Sequence, residues 1–138
     1  MSCGSEDTPS DHFPVDCVTP RIDQIKGTWA YYDESDGYAE LEISDSLYLY
    51  IDQGAHYIGP LIPLAYKLEG DSLFTLYDDG DKDRGWKICY RDSLTIRIKN
   101  QFDYFVCKRI NPRLKISDWT EKDSTIYDKE FLKREKEF

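Results

Sequence analysis

Two histidines, four cysteines and a scatter of carboxylates are the side chains of this 138-residue chain with the types needed for acid–base, nucleophilic or metal chemistry. His12 and His56 stand far apart in turn-rich stretches, so neither a zinc cluster nor a histidine-centred triad is in view. Glu40, Glu42 and Glu69 could pair for proton transfer, yet each alternates with apolar neighbours, which puts them on the outer face of a strand. The densest acidic stretch is Asp78-Asp79-Gly80-Asp81-Lys82-Asp83-Arg84-Gly85. Asp79, Asp81 and Asp83 have the spacing of a calcium loop, but Arg84 takes the place of the sharp-turn glycine and Tyr90 that of the closing glutamate. The stretch reads as a solvated hairpin. No catalytic residue, metal site or cofactor is expected, and the chain is not read as an enzyme.

The aromatic content calls for another explanation. Eleven Tyr and three Trp bring aromatics to 14%, with a single Met, a composition suited to strands. Tyr31, Tyr66, Trp86 and Tyr104 either line a cavity or fill a core, and filling is the simpler reading. In the third expected strand Tyr48 and Tyr50 fall on the outward parity, where exposed tyrosine suits protein or carbohydrate contacts.

These residues are carried by a run of short alternating segments from Gly27 to Ile110, broken by turn residues at near-regular intervals. Strands are expected over Thr28–Asp33, Tyr38–Ser44, Leu47–Asp52, Leu61–Glu69, Leu73–Tyr77, Trp86–Arg91, Leu94–Lys99 and Phe102–Ile110. Asp-Ser-Leu recurs at Asp45-Ser46-Leu47, Asp71-Ser72-Leu73 and Asp92-Ser93-Leu94, each at a junction, as a reused hairpin device. The parity places Leu47, Leu49 and Ile51, then Trp86, Ile88 and Tyr90, then Leu94, Ile96 and Ile98 on the buried side. Eight strands can close into a barrel and so remove exposed edges, although alternation alone leaves a two-sheet sandwich open. A helix is expected near Lys122–Lys136. The organisation is then a tether over 1–16, a barrel over 17–117 and a C-terminal helical segment over 118–138.

Gly27-Thr28-Trp29 after Pro20-Arg21-Ile22-Asp23-Gln24-Ile25, with Arg109 ending the eighth strand, resembles the lipocalin pattern. That resemblance implies an all-β fold, an eight-stranded antiparallel up-and-down barrel with a C-terminal helix on its wall. It also implies that Trp29 plugs one end beneath Arg109. The Thr-Asp-Tyr element of classical lipocalins has no match, and a ligand class is not carried across. Ser2-Cys3-Gly4 and the polar, acidic stretch after it resemble the start of a mature bacterial lipoprotein, which implies lipid attachment at Cys3 after removal of a signal peptide. The implied address is the cell envelope, as an outer-membrane lipoprotein on the periplasmic face or cell surface. Of the other cysteines, Cys17 could pair with Cys89 or Cys107 in an oxidising compartment, or a core cysteine could stay reduced. The expectation leans to no essential bridge.

A formal net charge of −9 repels phosphates, and no Lys/Arg stripe interleaved with aromatics interrupts it along the chain, so nucleic acid is excluded as a partner. No stretch approaches the apolar length of a transmembrane helix, leaving a lipid anchor as the expected membrane link. A monomer is expected. Two functions stay open. One is a small apolar or amphipathic ligand held in the barrel by Tyr31, Leu41, Leu49, Trp86, Ile88, Ile96 and Tyr104. The other is a filled barrel recognising an envelope protein or glycan through its outer face and loops.

Overall fold

The structure is a computed structural model that describes residues 17–35, 37–52, 63–113, 115–119 and 124–138. A short helix α1 (Ile22–Ile25) leads into β1 (Gly27–Asp33), β2 (Gly37–Ile43), β3 (Leu47–Asp52), β4 (Leu64–Glu69), β5 (Ser72–Leu76), β6 (Lys82–Asp92), β7 (Thr95–Lys99) and β8 (Tyr104–Ile110). Helices α2 (Ile116–Trp119) and α3 (Ser124–Glu137) follow. The eight strands close into a barrel in chain order, and β1 returns antiparallel to β8 through Trp29↔Arg109.

The three Asp-Ser-Leu segments make the β2–β3, β4–β5 and β6–β7 turns, which therefore share one end of the barrel. Short polar side chains hold the backbone: Leu94 N–H donates to Asp92 Oδ1 of its own segment at 2.8 Å, and Leu47 N–H to Oγ of Ser44, the residue before Asp45-Ser46-Leu47, at 3.1 Å. Gly70, in the β4–β5 turn, has φ +59°, a left-handed conformation that glycine adopts without strain.

Two apolar clusters result, one on each side of the sheet. Trp29, Tyr31, Leu41, Ile43, Tyr48, Leu73, Ile88, Ile96, Ile98 and Cys107 pack inside the barrel. Ala30, Tyr38, Leu49 and Ile51 instead pack outside it, against Ile116 of α2 and Phe131 of α3. This reverses the expected parity of β3, where Tyr48 and Tyr50 belong to the inner cluster and Leu49 and Ile51 to the outer. The cause is that the helices bury the outer wall, so both faces of β3 are covered and the more apolar face need not be the inner one.

Glu40 and Glu42 do lie on the outer face, but beneath the helices rather than in water. Glu40 is fully buried and takes a two-pronged ion pair from Arg134, with Nε to Oε2 at 2.6 Å and Nη2 to Oε1 at 2.9 Å. The Tyr38 hydroxyl donates to the same Oε2 at 2.6 Å. Glu42 accepts from Ser117 N–H at 2.9 Å and Ser117 Oγ at 2.8 Å, fixing α2. Buried carboxylates are tolerated because every bond is charge-assisted.

The N-terminal end is tied down as well. Val18 pairs with Tyr90 through two backbone hydrogen bonds, and Cys17 forms a disulfide with Cys89 on the outward side of β6. Of the pairings left open, the structure has Cys17 with Cys89, against the lean to no essential bridge; Cys107 remains a free, buried thiol. Spanning 72 residues of sequence, the cross-link removes unfolded-chain entropy on the order of 4 kcal/mol in the chain-entropy picture.

Candidate functional site: the barrel interior

One end of the barrel is sealed. Trp29 is fully buried there and donates its indole N–H to the Ile25 carbonyl at 2.9 Å, locking α1 under the barrel. The Arg109 guanidinium lies over the ring, Cζ 4.2 Å from its centroid. Its nitrogens donate to the carbonyls of Ser93 (2.6 Å), Lys26 (2.7 Å) and Gln24 (2.8 Å), so one planar fork joins β8, a hairpin turn and the entering chain. Gly27 has φ +129°, and a Cβ there would run into Arg109 Nη1. Gly27→Ala is therefore expected to lower stability by about 1–3 kcal/mol from backbone strain alone, with further loss from the displaced guanidinium, as read by denaturant unfolding.

Among the described residues the other end is open, bounded by the β1–β2, β5–β6 and β7–β8 turns, while the β3–β4 connection lies outside them. From this mouth a cavity of about 1340 Å³ descends into the barrel. Tyr31, Tyr48, Tyr50, Thr75, Trp86 and Phe105 line it within, and Asp33, Arg84 and Asn100 stand near its rim. The wall is a ladder of rings: Tyr31 stacks on Phe105 with centroids 4.3 Å apart, and Phe105 meets Trp86 at 6.2 Å. An apolar ligand would find aromatic faces here and hydroxyls to orient a polar atom.

Those hydroxyls are held neutral. Burial is the main cause raising the Tyr31 and Tyr48 hydroxyls well above tyrosine's ordinary 10.0; the proximity of Tyr50 and Cys107 adds to it, and Tyr31 and Tyr50 share a hydrogen bond. Burial likewise pushes the Cys107 thiol far above its ordinary 9.0. The protonated forms are favoured by folding, so their stabilisation is complete below the ordinary values and is lost as pH rises past them. In a base titration, ionisation of Tyr31 and Tyr48 is expected only together with loss of near-ultraviolet circular dichroism. Ionisation at pH near 10.0 with the fold intact would contradict their burial.

The residues singled out from sequence divide three ways. Tyr31 and Trp86 line the cavity. Leu41, Ile88 and Ile96 face inward but belong to the packed inner cluster and do not line that space. Leu49 and Tyr104 do not face it. Leu49 sits in the outer cluster beneath the helices, and Tyr104 precedes inward Phe105 and therefore points out. Phe105 takes the place expected of Tyr104. Its position was readable, since an inward Arg109 requires an inward residue four places earlier on the same strand. Tyr66 is half-buried against the inner cluster, and its hydroxyl donates to the Ser44 carbonyl at 2.5 Å. Cys3, His12 and His56 lie outside the described residues.

No protein-family model, curated protein or solved structure matches the chain. The architecture itself is compatible with a lipocalin-like fold: a closed eight-stranded antiparallel barrel, one end sealed by a tryptophan under an arginine, and a helix on the outer wall.

Proposed function

We propose that this chain is a non-enzymatic, exported lipocalin-like lipoprotein whose barrel holds a small apolar or amphipathic ligand. The observation that carries the reading is the aromatic cavity of about 1340 Å³, open at one end and sealed at the other. A filled barrel acting only through its surface fits that interior less well. The acids nominated for proton transfer are otherwise engaged: Glu40 with Arg134, Glu42 with Ser117, and Glu69 with Lys67 and Lys82.

A thermal-shift screen across fatty acids, retinoids, haem and glycans tests the claim. A ligand present at about a hundred times its Kd adds ~2.7 kcal/mol to the folded state. That should raise Tm by several degrees in a domain of this size. No response from any class would contradict a barrel binder, and a response confined to glycans would favour surface recognition.

The envelope address rests on Ser2-Cys3-Gly4 and places lipid on Cys3, with the protein acting as a monomer in the outer membrane's periplasmic or external leaflet region. Labelled palmitate fed to the native host should enter the wild-type protein and be absent from a Cys3→Ala precursor, which should leave the membrane fraction. Continued labelling of that variant would remove the assignment.

A further inference from the structure

Helices α2 and α3 pack on the β1–β3 wall, and the outward faces of β6, β7 and β8 make up a different wall with an opposite charge balance. Lys87 and Arg91 of β6, Arg97 and Lys99 of β7 and Lys108 of β8 alternate with the inward Ile88, Tyr90, Ile96, Ile98 and Cys107 and so stand on this outer face, with Lys87 and Lys99 also bordering the cavity mouth, in a chain whose net charge is −9. No basic stripe runs along the sequence; the hairpins assemble one. Lys87 sits directly opposite Lys99 across the β6–β7 ladder, and like charges so placed repel. Lys87, Arg97 and Lys108 form no ion pair among the described residues. At the centre of the wall Arg97 Nη1 is enclosed without a hydrogen-bond partner. An anion at this wall would relieve the repulsion.

Two features choose the kind of anion. Val106, paired with Arg97, is 43% exposed, and Val18, beside the Cys17–Cys89 bridge, is 52% exposed, so apolar side chains stand among the cations. Soluble polyanions reward charge alone, whereas a bilayer surface rewards charge with shallow apolar contact. The bridge also fixes where the N-terminal segment leaves the domain: at Cys89, directly opposite Arg97. We propose that the β6–β8 wall docks on an anionic lipid surface.

The full chain is sedimented with vesicles of phosphatidylcholine alone and of phosphatidylcholine with phosphatidylglycerol, at low and high salt. Binding should require phosphatidylglycerol and weaken with salt. Each neutralised cation should weaken it about fivefold, so Lys87→Gln/Arg97→Gln/Lys108→Gln should reduce it by about two orders of magnitude. Lys129→Gln/Lys133→Gln/Lys136→Gln, with the same change in net charge on α3, should bind as wild type does. If Arg97→Gln alters near-ultraviolet circular dichroism, the Lys87→Gln/Lys108→Gln pair carries the test alone. Equal binding to neutral vesicles, no binding to anionic ones, or equal loss in the α3 variant would overturn the proposal. Displacement from vesicles by DNA or heparin at trace levels would reassign the wall to a soluble polyanion and overturn it too.

Discussion

Trp29→Ala is expected to cost about 3–5 kcal/mol of folding stability, the range for truncating a fully buried aromatic. The loss has three parts: the cavity left by the indole, the unpaired Ile25 carbonyl, and the guanidinium stranded above an empty site. Arg109→Ala should cost roughly 1–3 kcal/mol, toward the upper end because three carbonyls lose their donor together. Arg109→Lys should recover little of it, since an ammonium on a flexible stem cannot reproduce the fork. Denaturant unfolding of the two single variants and the double should show coupling above ~0.5 kcal/mol, as expected for side chains in contact. Additive losses would mean that the sealed end is not the cooperative unit its geometry describes.

The second large effect sits on the opposite side of the sheet. Arg134→Met should destabilise by about 3–5 kcal/mol, because it leaves the Glu40 carboxylate buried without its cation. The Tyr38 hydroxyl still donates to Glu40, but one neutral donor cannot replace a two-pronged ion pair. Removing both charges, in Glu40→Leu/Arg134→Met, should restore the greater part of the loss, since apolar side chains of similar volume serve a buried site nearly as well as an ion pair. A double variant as unstable as the single would show that the helix is held by contacts other than this pair. Because Arg134 lies on α3, the single variant should also release that helix: proteolytic nicking near the C-terminus should rise before the barrel unfolds.

The barrel was legible from the sequence because its signals are local. Alternation set the strands to within a few residues, and the Asp-Ser-Leu turns marked three hairpins that share the sealed end. Trp29 and Arg109 were legible through the resemblance to the lipocalin pattern, which Gly27-Thr28-Trp29 and the late Arg109 match. What the sequence hid was covering. Leu49 and Tyr50 alternate cleanly, but the side that faces inward depends on α2 and α3, which lie far along the chain. The register with β2 resolves it, since Tyr50 pairs with Leu41, and Leu41 faces inward. Glu40 carries the same lesson: an acid among apolar residues reads as solvated until its distant arginine is known. The cation wall was hidden too, its members gathered by strand pairing.

Of the seven residues named from sequence for the barrel interior, the cavity is lined by two. Tyr31 and Trp86 follow from parity alone, whereas Leu41, Ile88 and Ile96 share that parity and lie in the packed part of the interior. Depth along a barrel is set by stagger between strands, which alternation does not report. The disulfide was beyond the sequence for a related reason. Three cysteines outside the tether allow several pairings, and only the placement of Val18 beside Tyr90 brings Cys17 to Cys89.

The most direct test of the barrel as a binding site uses Trp86, which lines the cavity while Trp29 is sealed at the far end. Anilinonaphthalene sulfonate, an amphipathic dye, is titrated into the full chain and into Trp86→Leu, with excitation of tryptophan and detection of the dye. A ligand-holding barrel predicts a blue-shifted, saturable signal with one dye per chain, displaced by any ligand from the thermal-shift screen and with its affinity lowered in Trp86→Leu. No blue shift, or weak non-saturating binding equal in both proteins, would contradict a cavity that takes an apolar ligand.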